Sequence, residues 1–65
     1  MYKSFQRTLD NKFLVSLEEN VWSENITDAK KYKFNNYKEI LLVLLNTYQE
    51  KDIITYTDYS FKSID

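Results

Sequence analysis

Residues 37–50, Tyr-Lys-Glu-Ile-Leu-Leu-Val-Leu-Leu-Asn-Thr-Tyr-Gln-Glu, set the terms for the rest of the chain, because no other stretch is long and apolar enough to anchor a core. Phased at about 100° per residue, Tyr37, Ile40, Leu41, Leu44, Leu45 and Tyr48 fall in one stripe. Lys38, Glu39, Asn46, Gln49 and Glu50 fall opposite. Leu42 lands inside the polar face and Val43 at its flank. The apolar run 40–45 therefore covers more sides of a helix than packing on one sheet requires. A lone exposed leucine is ordinary on a protein surface. Leu42 and Val43 thus have two readings: incidental exposure, or a second apolar edge that another chain covers.

What the helix packs on has to come from a chain of 65 residues, enough for one domain. A domain of this size buries only about 60% of the surface its unfolded chain exposes. Such folds usually gain a disulfide, a metal or a partner. With no Cys and no His, disulfides and the usual zinc ligand sets are excluded, which leaves a dense core, an oligomer or a complex. The eleven aromatic residues make a dense core possible, since each can bury about 150–250 Å². The chain also lacks Gly and Pro. Turn positions with positive φ must then fall to Asn and Asp, the next best tolerated residues there.

Residues 2–17 read as a β-hairpin. Phe13, Val15 and Leu17 alternate with Leu14, Ser16 and Glu18, the period of a half-buried strand. The first strand is weaker and carries Phe5 and Leu9 beside Lys3 and Arg7. If Phe5 is to share a buried face with Phe13 and Val15, the loop is Leu9, Asp10 and Asn11, with Arg7 opposite Phe13 and Phe5 opposite Val15. Asn11 then takes the left-handed position that ends such loops. Glu18, Glu19 and Asn20 form a turn. Trp22 follows, either covering one end of the core or standing out as a binding anchor, a role in which Trp is enriched. Residues 25–31 read as a short helix, with Asn25 and Asp28 as a capping pair. Tyr32 and Phe34 share a face of a short extended segment, and Asn36 with Glu39 caps the main helix over 37–50. Residues 53–61 are the last strand. Its two faces both carry large apolar groups at first, which suits a strand inside the sheet or at an interface. The class is α+β: a small antiparallel sheet made of the hairpin and the C-terminal strand, one long helix packed on one face, and a short helical turn before it.

Catalysis has little to draw on. Without His or Cys, only carboxylates, Lys, Tyr and hydroxyls remain, and without Gly there is no loop that lets the backbone approach a phosphate. Glu18, Glu19, Glu24 and Asp28 crowd together, but their spacing matches no metal loop and charged turn residues account for them. We expect no enzyme activity and no cofactor. The net charge of −1 argues against bulk affinity for nucleic acid. The distribution is uneven, however. Residues 30–38 carry Lys30, Lys31, Lys33 and Lys38 with no acid, while the segments on either side are net negative. Lysines interleaved with aromatics contact phosphates and stack bases. They also steer an acidic protein partner, and strand alternation alone predicts the same letters. No apolar stretch approaches the roughly 20 residues that span a bilayer, and the N-terminus lacks the apolar core of a signal peptide. A soluble cytoplasmic protein is expected.

The segment Trp22-Ser23-x-x-Ile26-x-x-Ala29-Lys30-Lys31-Tyr32, followed by a capped helix, resembles a pattern in small accessory proteins of phages and mobile elements of low-GC bacteria. In those proteins a strand leads into W-[ST]-x-x-[IL]-x-x-A-K-x-[FY] and then a helix. The resemblance covers residues 12–48, and the leucine-rich helix departs from it. It implies that Trp22, Ile26, Ala29 and Tyr32 pack a turn against the helix. It also implies a protein that binds and inhibits a host protein, including defence systems such as CRISPR nucleases. The function expected on both grounds is a non-catalytic, phage-encoded protein-binding module that occupies a host protein's surface. Leu42, Val43 and Trp22 are the candidate interface, with homodimerisation through the helix or the last strand as a further expectation. The alternatives are a nucleic-acid module using Lys30, Lys31, Lys33 and Lys38, and a small-ligand binder with aromatics lining a pocket between helix and sheet.

Overall fold

The sheet is built on its first strand. A computed structural model describes residues 1–58. In it β1 (Tyr2–Arg7), β2 (Phe13–Ser16), β3 (Val21–Ser23), β4 (Tyr32–Lys33) and β5 (Ile53–Asp58) form one five-stranded antiparallel sheet. β5 fills one edge of β1 over its whole length, from Tyr2 opposite Asp58 to Arg7 opposite Ile53. β2 and β4 must then share the other edge, with Phe13 opposite Gln6 and residues 32–33 opposite Lys3 and Tyr2. β2 leaves β1 after Leu14, whose carbonyl accepts a 2.9 Å hydrogen bond from the Lys30 N–H. β3 lies outside β2. The strand that looked weak and liable to fray is therefore the central one. Its pattern is weak because both of its faces carry large side chains.

Alternation along β1 divides the sheet. Lys3, Phe5 and Arg7 face α1 (Tyr37–Leu44); Tyr2, Ser4 and Gln6 face away. Phe5 and Leu14 have no exposed surface and pack with Leu44 and Ile53. Leu17, Trp22, Tyr32, Tyr37, Ile40, Leu41 and Tyr48 surround that cluster. All six residues of the helical stripe expected from the periodicity are buried or half-buried, and Leu42 and Val43 stand out at 65% and 49% exposure. The α+β class and the helix on one face of the sheet are as the sequence indicates.

The hairpin register differs from the expected one. Gln6, not Arg7, pairs with Phe13, and the Arg7 N–H donates to the Lys12 carbonyl at 3.0 Å, which closes a four-residue loop over 8–11. Phe5 and Phe13 thus lie on opposite faces. The requirement that they share one face fails because the second face is also covered. Tyr56 packs on Phe13 at 5.9 Å between ring centroids, and Tyr2, Ser4 and Phe13 are buried there. Leu14 takes the core place expected of Phe13. Asn11 does adopt the left-handed conformation (φ 59°), as does Asn20 (φ 56°) in the turn before β3.

Three other boundaries move. The main helix ends at Leu44 rather than residue 50. Asn46 and Thr47, both weak helix formers, donate instead to Val43 and Leu44 in tighter i→i+3 turns. A 3₁₀ turn, Glu50–Asp52, then leads into β5, fixed by reciprocal side-chain capping between Gln49 and Asp52 and by a 2.9 Å bond from the Thr8 N–H to the Asp52 carbonyl. The short helix expected over 25–31 is a single 3₁₀ turn, Ile26–Asp28. Neither Asn25 nor Asn36 caps through its side chain. Ser23 does that work for the 3₁₀ turn: its Oγ accepts from the Asn25 N–H and donates to Asp28 Oδ2. Among the described residues β5 pairs only with β1, so it lies on an outer edge rather than inside the sheet. The remainder of the strand expected over 53–61 lies outside the described residues.

Two substitutions test this architecture. Phe5→Ala should cost about 3–5 kcal/mol, the range for a fully buried aromatic, and lower the urea midpoint accordingly. Asn11→Gly should leave the midpoint unchanged or raised. Asn11→Val should lower it by the equivalent of roughly 1–2 kcal/mol, because a β-branched residue resists positive φ.

Candidate functional site

β3, the turn before it and the C-terminal end of α1 enclose an open groove of about 280 Å³, lined by Leu17, Asn20, Trp22, Val43, Leu44, Thr47 and Tyr48. Two of the three candidate interface residues, Trp22 and Val43, meet there. Leu42 is exposed but points about 100° around the helix axis from Val43 and does not line the groove. Trp22 reaches it because Leu14 pairs with Trp22 across β2 and β3, so the indole falls on the same face as Leu14, toward the helix. Asn20, held at positive φ, turns its side chain to accept a 2.9 Å hydrogen bond from the indole N–H.

Arg7 fixes the groove from beneath. Its Nε and Nη2 donate to the two carboxylate oxygens of Asp10 at 2.9 and 2.8 Å, and Nη1 donates to the Tyr48 hydroxyl at 3.0 Å. Its Cζ stands 4.2 Å from the centre of the Trp22 ring, and Trp22 meets Tyr48 edge-on at 5.9 Å. A planar guanidinium can make all these contacts together, which a lysine ammonium cannot. The hydrogen bonds it donates to Asp10 raise the Arg7 pKa further. The same bonds hold the Asp10 carboxyl below its ordinary value. Trp22 is therefore half-buried and oriented: it packs against one end of the core and also lines the groove.

The basic segment is divided rather than gathered. Lys33 pairs with Tyr2 and so faces away from the helix, whereas Lys38 sits on the helix itself. Lys30 lies over the Tyr32 ring at 5.6 Å, and Lys31 is half-buried. Of the aromatics that would stack bases, Tyr32 is half-buried and Phe34 is 44% exposed. Tyr32 packs on Phe5 at 5.8 Å, and burial first, then the nearby Glu18 charge, raises its phenol pKa. Phe34 packs on Tyr37 at 5.4 Å, with the Lys3 ammonium over both rings. Of the residues in the W-[ST]-x-x-[IL] segment, Trp22, Ala29 and Tyr32 are packed, but Ile26 is 48% exposed and does not join them. The resemblance implies otherwise. Ile26 opens the 3₁₀ turn, whereas Ala29 already has extended backbone beyond it (φ −63°, ψ 132°).

Reading the sequence did not single out Arg7, Asp10 or Tyr48. The one signal available was the chain's only arginine placed three residues before a turn aspartate. Among the described residues no group of three or more acidic side chains converges to hold a metal, and no helix is long and apolar enough to cross a membrane. No protein-family model matches the chain, and no curated protein and no solved structure matches it either.

The Arg7 cluster can be tested in solution. Arg7→Met should destabilise the fold by roughly 1–2 kcal/mol, the sum of one partly exposed ion pair and one cation–π contact. It should also move the Trp22 emission to longer wavelength. Because the Asp10 pKa is lowered on folding, its contribution is complete above the ordinary carboxylate value of about 3.9 and is lost as pH falls through the lower folded value. Asp10→Asn should therefore flatten the acid end of the stability–pH curve.

Proposed function

We propose that the chain is a non-catalytic protein-binding module that acts by occupying the surface of another protein. The observation that carries this reading is the meeting of Val43 and Trp22 at one open groove, with Leu42 exposed beside it. Soluble monomers expose single apolar side chains routinely, but adjoining ones beside a concavity mark interaction sites. An oriented Trp rim is the type of anchor on which binding energy concentrates. Nothing in the fold asks for Leu42 or Val43 to be apolar, since the six-residue stripe already covers the sheet.

The resemblance of residues 12–48 to accessory proteins of phages and mobile elements supports a host protein as the partner, with inhibition of a defence system such as a CRISPR nuclease as one form. The cytoplasm of the host cell is then the place of action. A second copy of the chain is the other occupant of the same surface. Nucleic acid is the weaker reading, because Lys33 and Lys38 sit on different elements, one of them facing away from the helix, and Tyr32 is packed on Phe5.

The test is capture from a low-GC bacterial lysate with the wild-type chain and with Leu42→Glu/Val43→Glu. Both residues are exposed, so the variant should melt within a few degrees of wild type while losing at least tenfold in capture of a protein that wild type retains. Equal capture by both chains, or a gel shift with DNA or RNA at low salt that Lys30→Glu/Lys33→Glu abolishes, would sink the reading.

A further inference from the structure

We infer that the groove receives an apolar side chain of a partner segment flanked by lysine or arginine. This deepens the protein-binding reading and rests on it.

Three observations fix the charge of the occupant. The turn over 17–20 forms one lip: Leu17 and Asn20 line the groove, and the Asn20 N–H closes the turn on the Leu17 carbonyl at 3.3 Å, so Glu18 and Glu19 are carried at its crest. Both are exposed, and among the described residues neither carboxylate has an ion-pair partner. The other lip is the end of α1 and the turn after it, with Val43, Leu44 and Thr47. A helix carries partial negative charge at its C-terminus, and the last turn of α1 contains no basic residue to offset it. Finally, Arg7, the cation in contact with both Trp22 and Tyr48, is already bound to both oxygens of Asp10. The groove is therefore apolar inside and negative at both lips, with its own arginine neutralised.

The shape fixes the rest. Leu17, Trp22, Val43 and Leu44 make the walls apolar, and a space of about 280 Å³ accommodates one large aliphatic or aromatic side chain rather than a helix. An acidic segment would meet like charge on two sides. A neutral one would gain no attraction from Glu18 and Glu19, which water solvates. A segment with a leucine or phenylalanine between basic residues satisfies both walls and lips.

Trp22 is the chain's only tryptophan, so its fluorescence reports on the groove directly. Short tryptophan-free peptides with a central leucine or phenylalanine, flanked by lysines, serines or glutamates, are titrated into the full chain. Lysine-flanked peptides should move Trp22 emission to shorter wavelength and bind about fivefold more tightly than serine-flanked ones, as expected for two exposed charge pairs. Glutamate-flanked peptides should bind more weakly still. The lysine advantage should shrink as salt is raised. Glu18→Lys/Glu19→Lys, which alters only exposed turn residues, should invert the order, and Val43→Glu should remove binding of every peptide. Equal affinities for the three peptide sets, or an unchanged order in the double charge reversal, would overturn the proposal. So would a single-stranded oligonucleotide that, without peptide, itself moves Trp22 emission. If no peptide moves Trp22 while Leu42→Glu/Val43→Glu still loses a captured protein, the basic-flanked occupant is wrong and the protein-binding reading stands. If capture is equal as well, both fall.

Discussion

A strand paired on both edges and loaded on both faces is the constraint from which the rest of this structure follows. β1 meets β5 along one edge and β2 and β4 along the other. Its backbone polar groups are thus committed to the sheet, and only its side chains remain to set the layers. Phe5, without exposed surface, fixes the helix side; Ser4, at 1% exposure, lets the opposite side close over a small residue. Once Phe5 is placed, Leu14 across one edge and Ile53 near the other complete a floor, and Leu44 descends onto it from α1. A chain without Gly, Pro, Cys or His has few other ways to hold so small a fold. Burial around one strand takes the place of a covalent or metal clamp.

Magnitudes separate what holds the fold from what shapes it. Burying a Phe side chain is worth several times the contribution of a partly exposed ion pair, whose typical range is about 0–1 kcal/mol. Arg7 therefore does not account for the existence of the fold. What it supplies is direction. One planar group ties the hairpin loop through Asp10, β3 through Trp22 and the segment after α1 through Tyr48. Two of these, β3 and the segment after α1, bound the groove. Asn20 adds the last constraint by orienting the indole N–H. The cost of a wrongly placed Trp22 would be small in stability and large in the shape of the surface.

The parts of this arrangement that show in the sequence are local and periodic. The helical stripe from Tyr37 to Tyr48 follows from spacing alone, and so do the exposure of Leu42 and Val43 and the left-handed Asn11. The register of the hairpin does not, because the rule applied to it assumes one buried face. Here Phe13 finds cover on the second face from Tyr56, more than forty residues away in sequence. The early end of α1 is likewise a tertiary effect: Asp52 has to reach Thr8 so that Ile53 can pair with Arg7. Candidate site residues divide along the same line. Val43 and Trp22 could each be named from the sequence. Their meeting, and the Arg7–Tyr48 contact beneath them, depend on pairings between distant segments that no local pattern encodes.

That division also bears on why the run 40–45 is more apolar than its helix needs. Ile40, Leu41 and Leu44 pack in or against the core and Leu45 is half-buried, so burial explains their hydrophobicity. Val43 is not in that set, yet it forms a wall of a groove whose opposite wall is Trp22. A polar residue at 43 would leave the fold intact and would wet the groove. The same substitution at 44 would destroy the core. Adjacent positions in one apolar run therefore answer to different demands, one internal and one external. The external demand is legible only after the sheet has carried Trp22 to the helix.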